Sequence, residues 1–222
     1  MKRFGQTAVV LTLALTALTG SAWAQSSSGP DRMAAQFTVG GTFGNVSSSS
    51  FGGEFDFKLG TEWQAFLEVG QMRNVASGLT EDRAGLIAGL IGASADAVAR
   101  ATYVDAGIKY LFPPFGGGYI PYVGLGFGVA PVETDVTFSV GGAALSEEDL
   151  LNRYGVQLGN DLAGSTTKPL VMLGFGVSRA IAQRYLLDFS YRYGRIFGKS
   201  GDIEGDEAIN SNRVQVGFGV RF

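Results

Sequence analysis

The sequence repeats one pattern eight times, in which apolar side chains occupy every second position of a segment. A period of two is typical of β-strands, because successive side chains of a strand point to opposite faces. The predicted strands are 35–44, 51–60, 62–72, 101–112, 119–130, 170–179, 184–194 and 212–222. These segments cover most of the chain, so the pattern predicts an all-β domain.

The two faces of the predicted strands differ in polarity. One face carries aliphatic and aromatic side chains such as Leu67, Leu125 and Phe218, whereas the other carries charges or glycine. This alternation fits a soluble barrel with an apolar interior, and it also fits a membrane barrel with an apolar exterior. Further features are needed to decide between the two.

Connection lengths favour the membrane barrel. The connections after the second, fourth and sixth predicted strands are short, whereas 73–100, 131–169 and 195–211 are long. Short turns at one rim and long loops at the other are typical of outer-membrane barrels. Glycines on the polar face, such as Gly126 and Gly174, also suit an eight-stranded barrel, because its narrow lumen must leave room for long side chains.

Aromatic side chains cluster at the strand ends, where amphipathic rings would lie at the headgroup level of a bilayer. The predicted girdle residues are Trp63, Tyr110, Phe112, Tyr119 and Tyr185 at the short-turn rim, with Tyr193 near the other rim. The combined prediction is an eight-stranded antiparallel up-and-down transmembrane β-barrel with long extracellular loops.

The first 24 residues have the features of an export signal. Lys2 and Arg3 precede an apolar stretch at 8–18, and Ala22-Trp23-Ala24 offers the small residues that a signal peptidase recognises. The apolar stretch is shorter than the roughly 20 residues that a membrane-spanning helix needs. We expect cleavage after Ala24, a short lead-in at 25–34 and a barrel domain at 35–222.

Charged side chains on the predicted inner face form the candidate site. They are Glu54, Asp56, Lys58, Glu68, Asp105, Lys109, Asp188, Arg192 and Arg213, and Glu62 and Arg221 are assigned to the same face. One hypothesis is a gate, in which opposed charges admit or block ions. The other is a plug of mutually paired charges, because an unpaired buried charge costs several kcal/mol. The narrowness of the barrel favours the plug.

Two segments of the long loops favour helices. The first is 80–98, with Thr80 as its cap, and the second begins at Ser146 and stops at Gly155. Alternation also continues from Val132 to Val140, so the fifth strand is predicted to project beyond the membrane.

From residue 25 onwards the chain resembles the small outer-membrane β-barrel family that includes OmpA-type and OmpX-type barrels and opacity-like porins. Its most specific element is the ending Val214-Gln-Val-Gly-Phe-Gly-Val-Arg-Phe222, in which Phe218, Val220 and Phe222 are similar to the signal that the outer-membrane assembly machinery recognises. The resemblance implies a bacterial outer-membrane location and contacts with membrane lipid and with that machinery. It does not imply the periplasmic peptidoglycan-binding domain of full-length OmpA.

The sequence contains no histidine and no cysteine. Without histidine the chain lacks the usual general base, so a lipid-modifying outer-membrane enzyme is a minor alternative. Without cysteine it forms neither a disulfide nor a thiolate metal site, and we expect no cofactor. The net charge of −3 argues against a nucleic-acid partner.

Two non-enzymatic functions remain. The leading prediction is an envelope protein, either structural or acting in adhesion and host contact through loops 73–100 and 131–169. The alternative is a narrow, porin-like channel for ions or small polar solutes.

Overall fold

A computed structural model describes residues 32–44, 46–159, 162–182, 184–198 and 208–222. The predicted signal peptide at 1–24 and most of the lead-in lie outside these residues. The described strands are β1 (Met33–Phe43), β2 (Ser48–Lys58), β3 (Trp63–Met72), β4 (Ser94–Leu111), β5 (Tyr119–Val140), β6 (Ala143–Ala144), β7 (Ala163–Ile181), β8 (Tyr185–Ile196) and β9 (Ile209–Arg221). The described helices are α1 (Gly78–Ile91) and α2 (Glu147–Tyr154).

Eight of these strands form a closed antiparallel barrel. Each strand pairs with the next along the chain, and β9 pairs with β1 to close the ring. The remaining strand, β6, contains two residues and pairs with the end of β5. The predicted eight-stranded up-and-down barrel is confirmed.

The barrel carries its apolar side chains outside. Phe127 and Phe189 are each 60% exposed, whereas Arg192 in the interior is 1% exposed. This polarity is the reverse of a soluble barrel, and it is stable where acyl chains rather than water surround the outer face. None of the helices in the described part of the chain has the length and hydropathy that crossing a bilayer requires.

The two rims differ as the sequence predicted. Residues 59–62, 112–118 and 182–184 connect strands at one end, which we call the short-turn end. Longer connections lie at the other, or long-loop, end. Glu62 is exposed in a short turn, so its predicted place on the inner face is wrong. The predicted third strand begins at Glu62, whereas β3 begins one residue later at Trp63.

Three neighbouring strands extend well past their predicted limits. β4 begins at Ser94, β5 ends at Val140 and β7 begins at Ala163, and their pairing continues to Ser94↔Ser139 and Asp135↔Ala163. The predicted projection of the fifth strand is confirmed. Much of the predicted loops 73–100 and 131–169 is therefore strand.

The helix predicted at 80–98 is shorter and differently capped. Ser77 is the cap, and its side chain accepts a hydrogen bond from the Thr80 N–H at 3.2 Å. α1 stops before Gly92, whose φ of 66° suits glycine and ends the helix. α2 follows its prediction, with Ser146 and Asp149 forming a capping box and Gly155 ending the helix.

The helices cover the inner face of the extended parts of β4 and β5. We call the folded unit that these segments form the loop core; the buried members of its apolar cluster are Ala84, Ala88, Ala97, Val136, Phe138, Leu150 and Leu162. On the outer face of the same strands, Asp96, Arg100, Glu133 and Asp135 are exposed. The long-loop end is therefore a folded unit with its own apolar interior.

Candidate functional site: the barrel lumen

The interior of the barrel changes character along its axis. A cavity lies at the short-turn end, a charged layer fills the centre, and an apolar layer closes the long-loop end. The period of two sets all three layers, because every second residue of each strand points inward.

The charged layer has an acidic wall and a basic wall. Glu54, Glu68 and Asp105 lie directly opposite one another on β2, β3 and β4. Arg192 and Arg213 form the basic wall, and they lie opposite each other on the neighbouring strands β8 and β9. β3 and β8 are diametrically opposite in the eight-stranded ring, so the two walls face each other across the lumen.

Ion pairs join the two walls. Arg192 pairs with Glu68 and, from Nη2 to Oε2, with Glu54 at 2.5 Å. Arg213 Nη1 lies 3.3 Å from Glu68 Oε1, and its guanidinium stacks 4.3 Å from the ring centre of Tyr103. Tyr103 donates its hydroxyl to Glu68 at 2.9 Å. The Arg192–Glu68 pair therefore spans the full width of the barrel.

A second group of contacts lies nearer the short-turn end. Lys109 pairs with Glu54 and, at 2.9 Å, with Asp56. Its Nζ lies 4.9 Å from the ring centre of Tyr122, whose hydroxyl donates to Asp188 at 3.0 Å. These cation–ring and hydrogen-bond contacts offset the cost of burying the lysine in the lumen.

Glycines on β5 and β7 make room for the charged side chains. A Cβ on Gly126 would lie 2.8 Å from Asp105 Oδ2 and 2.9 Å from Phe66 Cζ. A Cβ on Gly174 would lie 3.3 Å from Arg192 Cγ. The long side chains of the acidic and basic walls thus extend over the inward-facing glycines of β5 and β7, as the sequence predicted.

The apolar layer lies beyond the charges, toward the long-loop end. Its buried residues include Met72, Ala101, Ala130, Leu170, Ile196 and Ile209. Dense apolar packing excludes water, so this layer closes the lumen a second time.

The cavity at the short-turn end has a volume of about 60 Å³. Arg32, Lys58 and Arg221 line it together with Asp56 and Asp188. A cavity of this size holds a few water molecules, because each needs about 10–15 Å³.

The interior contains more acid than base. Its buried acids are Glu54, Asp56, Glu68, Asp105 and Asp188, and its buried bases are Lys109, Lys168, Arg192 and Arg213. Both carboxylate oxygens of Asp105 lack a hydrogen-bond partner among the described residues. The described part of the chain contains no cluster of three or more side chains that could hold a metal ion.

The structure brings together eight of the nine predicted site residues. The ninth, Lys58, is half-buried at the mouth of the cavity. Sequence reasoning missed Gln36, Tyr103 and Tyr122, which contact Glu54, Glu68 and Asp188. Strand parity could have identified them, since Tyr103 lies two residues from Asp105 on one strand and so shares its face.

The predicted girdle residues lie at the two rims, and several of their rings are in contact. Trp63 and Tyr110 have ring centres 5.1 Å apart, as do Tyr110 and Phe112. Tyr193 lies at the long-loop rim, where its hydroxyl donates to Asn210 at 2.8 Å. Phe218, Val220 and Phe222 are exposed on the outside of the barrel, and their recognition by the assembly machinery stays a prediction.

Comparison with known proteins identifies the fold. The Outer membrane protein beta-barrel domain family matches residues 10–222. The chain belongs to this family. Among curated proteins no sequence matches the chain.

The chain is also similar to several solved structures. Neisserial surface protein A is 14% identical, with a TM-score of 0.52 over 89% of this chain and 100% of its own. The N-terminal barrel of Pseudomonas aeruginosa OprF is 15% identical, with a TM-score of 0.46 over 85% of this chain and 97% of its own. Ail of Yersinia pestis is 15% identical, with a TM-score of 0.45 over 86% of this chain and 97% of its own.

Family membership assigns the barrel to the outer membrane. In such barrels the short turns lie in the periplasm and the long loops outside the cell. The short-turn end is therefore periplasmic, and the loop core is extracellular.

Proposed function

We propose that this protein is a closed, non-enzymatic outer-membrane barrel whose task is to present the loop core for recognition at the cell surface. The observation that carries the proposal is the Arg192–Glu68 ion pair, which crosses the lumen between diametrically opposite strands. A barrel closed in this way supports a function outside the lumen.

The apolar layer argues in the same direction. Ions that passed the charged layer would still have to cross Met72, Leu170 and Ile196, which are at most 2% exposed. An apolar constriction without water is a barrier to ions. The channel hypothesis therefore requires two separate rearrangements of the interior.

The loop core supplies a surface suited to recognition. Leu86 and Leu90 project from α1 and are 71% and 88% exposed, more than any apolar side chain of the lipid-facing surface. Residues 84–91 of this helix contain no polar side chain. Helices that are apolar on all sides are normally covered, so the outward face of α1 is suited to contact with a partner.

Conductance tests the closed lumen. The protein inserted into planar bilayers should produce no discrete openings, and Arg192→Gln should not create stable ones because the apolar layer remains. Reproducible single-channel steps from the wild type would favour the channel instead.

Adhesion tests the recognition role. In cells that express the protein, Leu86→Glu combined with Leu90→Glu should abolish adhesion to a host-cell layer and leave detergent resistance of the envelope intact. The control is Thr137→Glu with Ser165→Glu, which adds the same charge on the outer face of the extended strands, where both residues are exposed. Unchanged adhesion in the leucine variant, with folding verified by heat-modifiable electrophoretic mobility, would rule out the loop core as the recognition surface.

A further inference from the structure

Two arginines lie side by side on the outside of the barrel, at the extracellular end of β3 and β4. The pairing of these two strands ends at Met72↔Ala101. The next residue toward the loops is an arginine on both sides, Arg73 after β3 and Arg100 within β4. The two residues of the last pair are buried in the interior, so the arginines beside them point outward, and both are exposed.

Hydrogen bonds hold the chain at Arg73 against both neighbouring strands. Its N–H donates to the Ser49 carbonyl on β2 at 3.0 Å. On the other side, the Asn74 side chain accepts a hydrogen bond from the Ala99 N–H of β4 at 3.0 Å. These contacts fix the position of Arg73 beside Arg100 before any ligand binds.

The two arginines leave positive charge without a counter-charge between them. Among the described residues neither guanidinium forms an ion pair or a side-chain hydrogen bond. Glu133 is in register with Arg100, but it lies on β5, the side of β4 away from Arg73. Like charges on neighbouring strands destabilise a sheet, so an anion bound over β3 and β4 would relieve their repulsion.

Below the arginines the same two strands carry first a polar pair and then an apolar pair on their outer face. Gln71 and Thr102 are in register, and Gln71 Nε2 donates to Thr102 Oγ1 at 3.3 Å. Val69 and Val104 form the next outward pair, nearer the middle of the bilayer. The outer face therefore changes from apolar to neutral polar to cationic within two steps along the strands.

We propose that Arg73 and Arg100 bind a phosphate group of the phosphorylated glycolipid in the outer leaflet of the outer membrane. Arginine forms charge-assisted, bidentate hydrogen bonds with phosphate oxygens, which suits it to this chemistry. The acyl chains of the same lipid pack on the valine pair, and the Gln71–Thr102 pair faces its sugar. A soluble anion would contact the arginines alone, so the order of the three pairs points to a lipid.

Lipid affinity tests the proposal. The purified protein in detergent is titrated with lipid A and with lipid A from which both phosphates have been removed, and bound lipid is counted by native mass spectrometry. We expect tighter binding of the phosphorylated lipid. Arg73→Gln with Arg100→Gln should weaken that binding about fivefold for each arginine removed. The affinity of this double variant for the dephosphorylated lipid should equal that of the wild type.

Arg179→Gln with Arg184→Gln is the matched control, because it removes two exposed arginines at the periplasmic end. This control should bind phosphorylated lipid A as the wild type does, and heat-modifiable mobility verifies the folding of each variant. Equal binding of the two lipids by the wild type would overturn the proposal. Wild-type affinity for phosphorylated lipid A in the Arg73/Arg100 double variant would overturn it as well.

Two further measurements separate a lipid from a free anion. Glucosamine 1-phosphate carries the sugar and the phosphate without acyl chains, so it should compete poorly with lipid A. If it displaced lipid A at equal concentration, the arginines would recognise a soluble anion and the proposal would fail. Glu133→Gln removes the acid beside Arg100 and should strengthen the binding of lipid A. Weaker binding by this variant would show that the group held there is not an anion.

Discussion

Strands β4, β5 and β7 pass through two environments, and the polarity of β4 inverts between them. Within the bilayer the inner face of β4 carries Asp105 and Lys109, while its outer face carries Val104 and Ile108. Above the bilayer its inner face carries Ala97, and its outer face carries Asp96 and Arg100. The alternation of side chains between the two faces is uninterrupted, so strand geometry does not change. The medium that a face contacts, acyl chains or water, therefore decides its polarity.

The inversion occurs at the same height on neighbouring strands. Val104 of β4 pairs with Val129 of β5, and four residues further Arg100 pairs with Glu133. Apolar outward side chains thus give way to charged ones across one level, which is expected where the acyl layer ends. The comparison between these two halves of the strands defines the predictions that follow.

The largest loss of stability is expected in the bilayer half, where the buried charged side chains are stable because they are paired. Arg192→Ala leaves Glu54 and Glu68 buried without their main partner, and removing one member of a buried pair costs about 3–5 kcal/mol. Urea titration in lipid vesicles measures the free energy of unfolding. Adding Glu54→Gln to the same chain should recover most of the loss, because Lys109 keeps Asp56 and Glu68 keeps Arg213 as a partner. If the double variant were no more stable than the single one, charge imbalance would not be its cause.

The extracellular half depends on apolar packing instead. Phe138 is fully buried in the loop core, and Phe138→Ala should cost about 3–5 kcal/mol of local stability. We expect rapid proteolysis within residues 78–162 while the barrel keeps its heat-modifiable mobility. Loss of the folded barrel in this variant would show that the two halves unfold as one unit.

The outer face of β5 allows a direct comparison of the two solvents. Leu125→Arg places a charge among the acyl chains and should cost roughly 2–4 kcal/mol. Thr137→Arg places the same charge on the same face above the bilayer, where Thr137 is exposed, and should cost almost nothing. The free energy of unfolding of both variants is measured in vesicles. Similar losses would contradict the level at which we place the membrane boundary.

The barrel was predictable because its signal is periodic and repeated. Each bilayer strand contrasts large apolar residues with charges or glycine, so strand number followed from parity. Connection lengths and the aromatic side chains at the strand ends then indicated which face points outward. The extension of β4 was missed for a physical reason. Its inner face over 95–101 is made of alanines, which have low strand propensity and give the alternation little contrast, so residues 94–98 fall within the predicted helix.

The contents of the lumen were predictable, but their contacts were not. Parity identifies Glu68 and Arg192 as inward, and the predicted ring of eight places their strands opposite each other. The level at which the two side chains meet depends on the register of every strand pair around the ring, which parity does not give.

The smallest effect is expected at the tip of the extracellular half. The Ser146 hydroxyl donates to Asp149 Oδ2 at 2.7 Å, which lowers the pKa of Asp149 below its ordinary value of 3.8. Because the folded loop holds this pKa below that of the unfolded chain, the cap stabilises α2 at pH values above about 4. The contribution is lost as the pH falls through the lowered pKa.

Amide hydrogen exchange of residues 147–154 measures this effect. Between pH 8 and pH 5 the protection of α2 should stay constant, and below pH 4 it should fall while the strands of the bilayer half keep their protection. Asp149→Asn should lower the protection at neutral pH and flatten its dependence on acid. A variant that kept the wild-type acid response would show that the capping box contributes nothing that titrates.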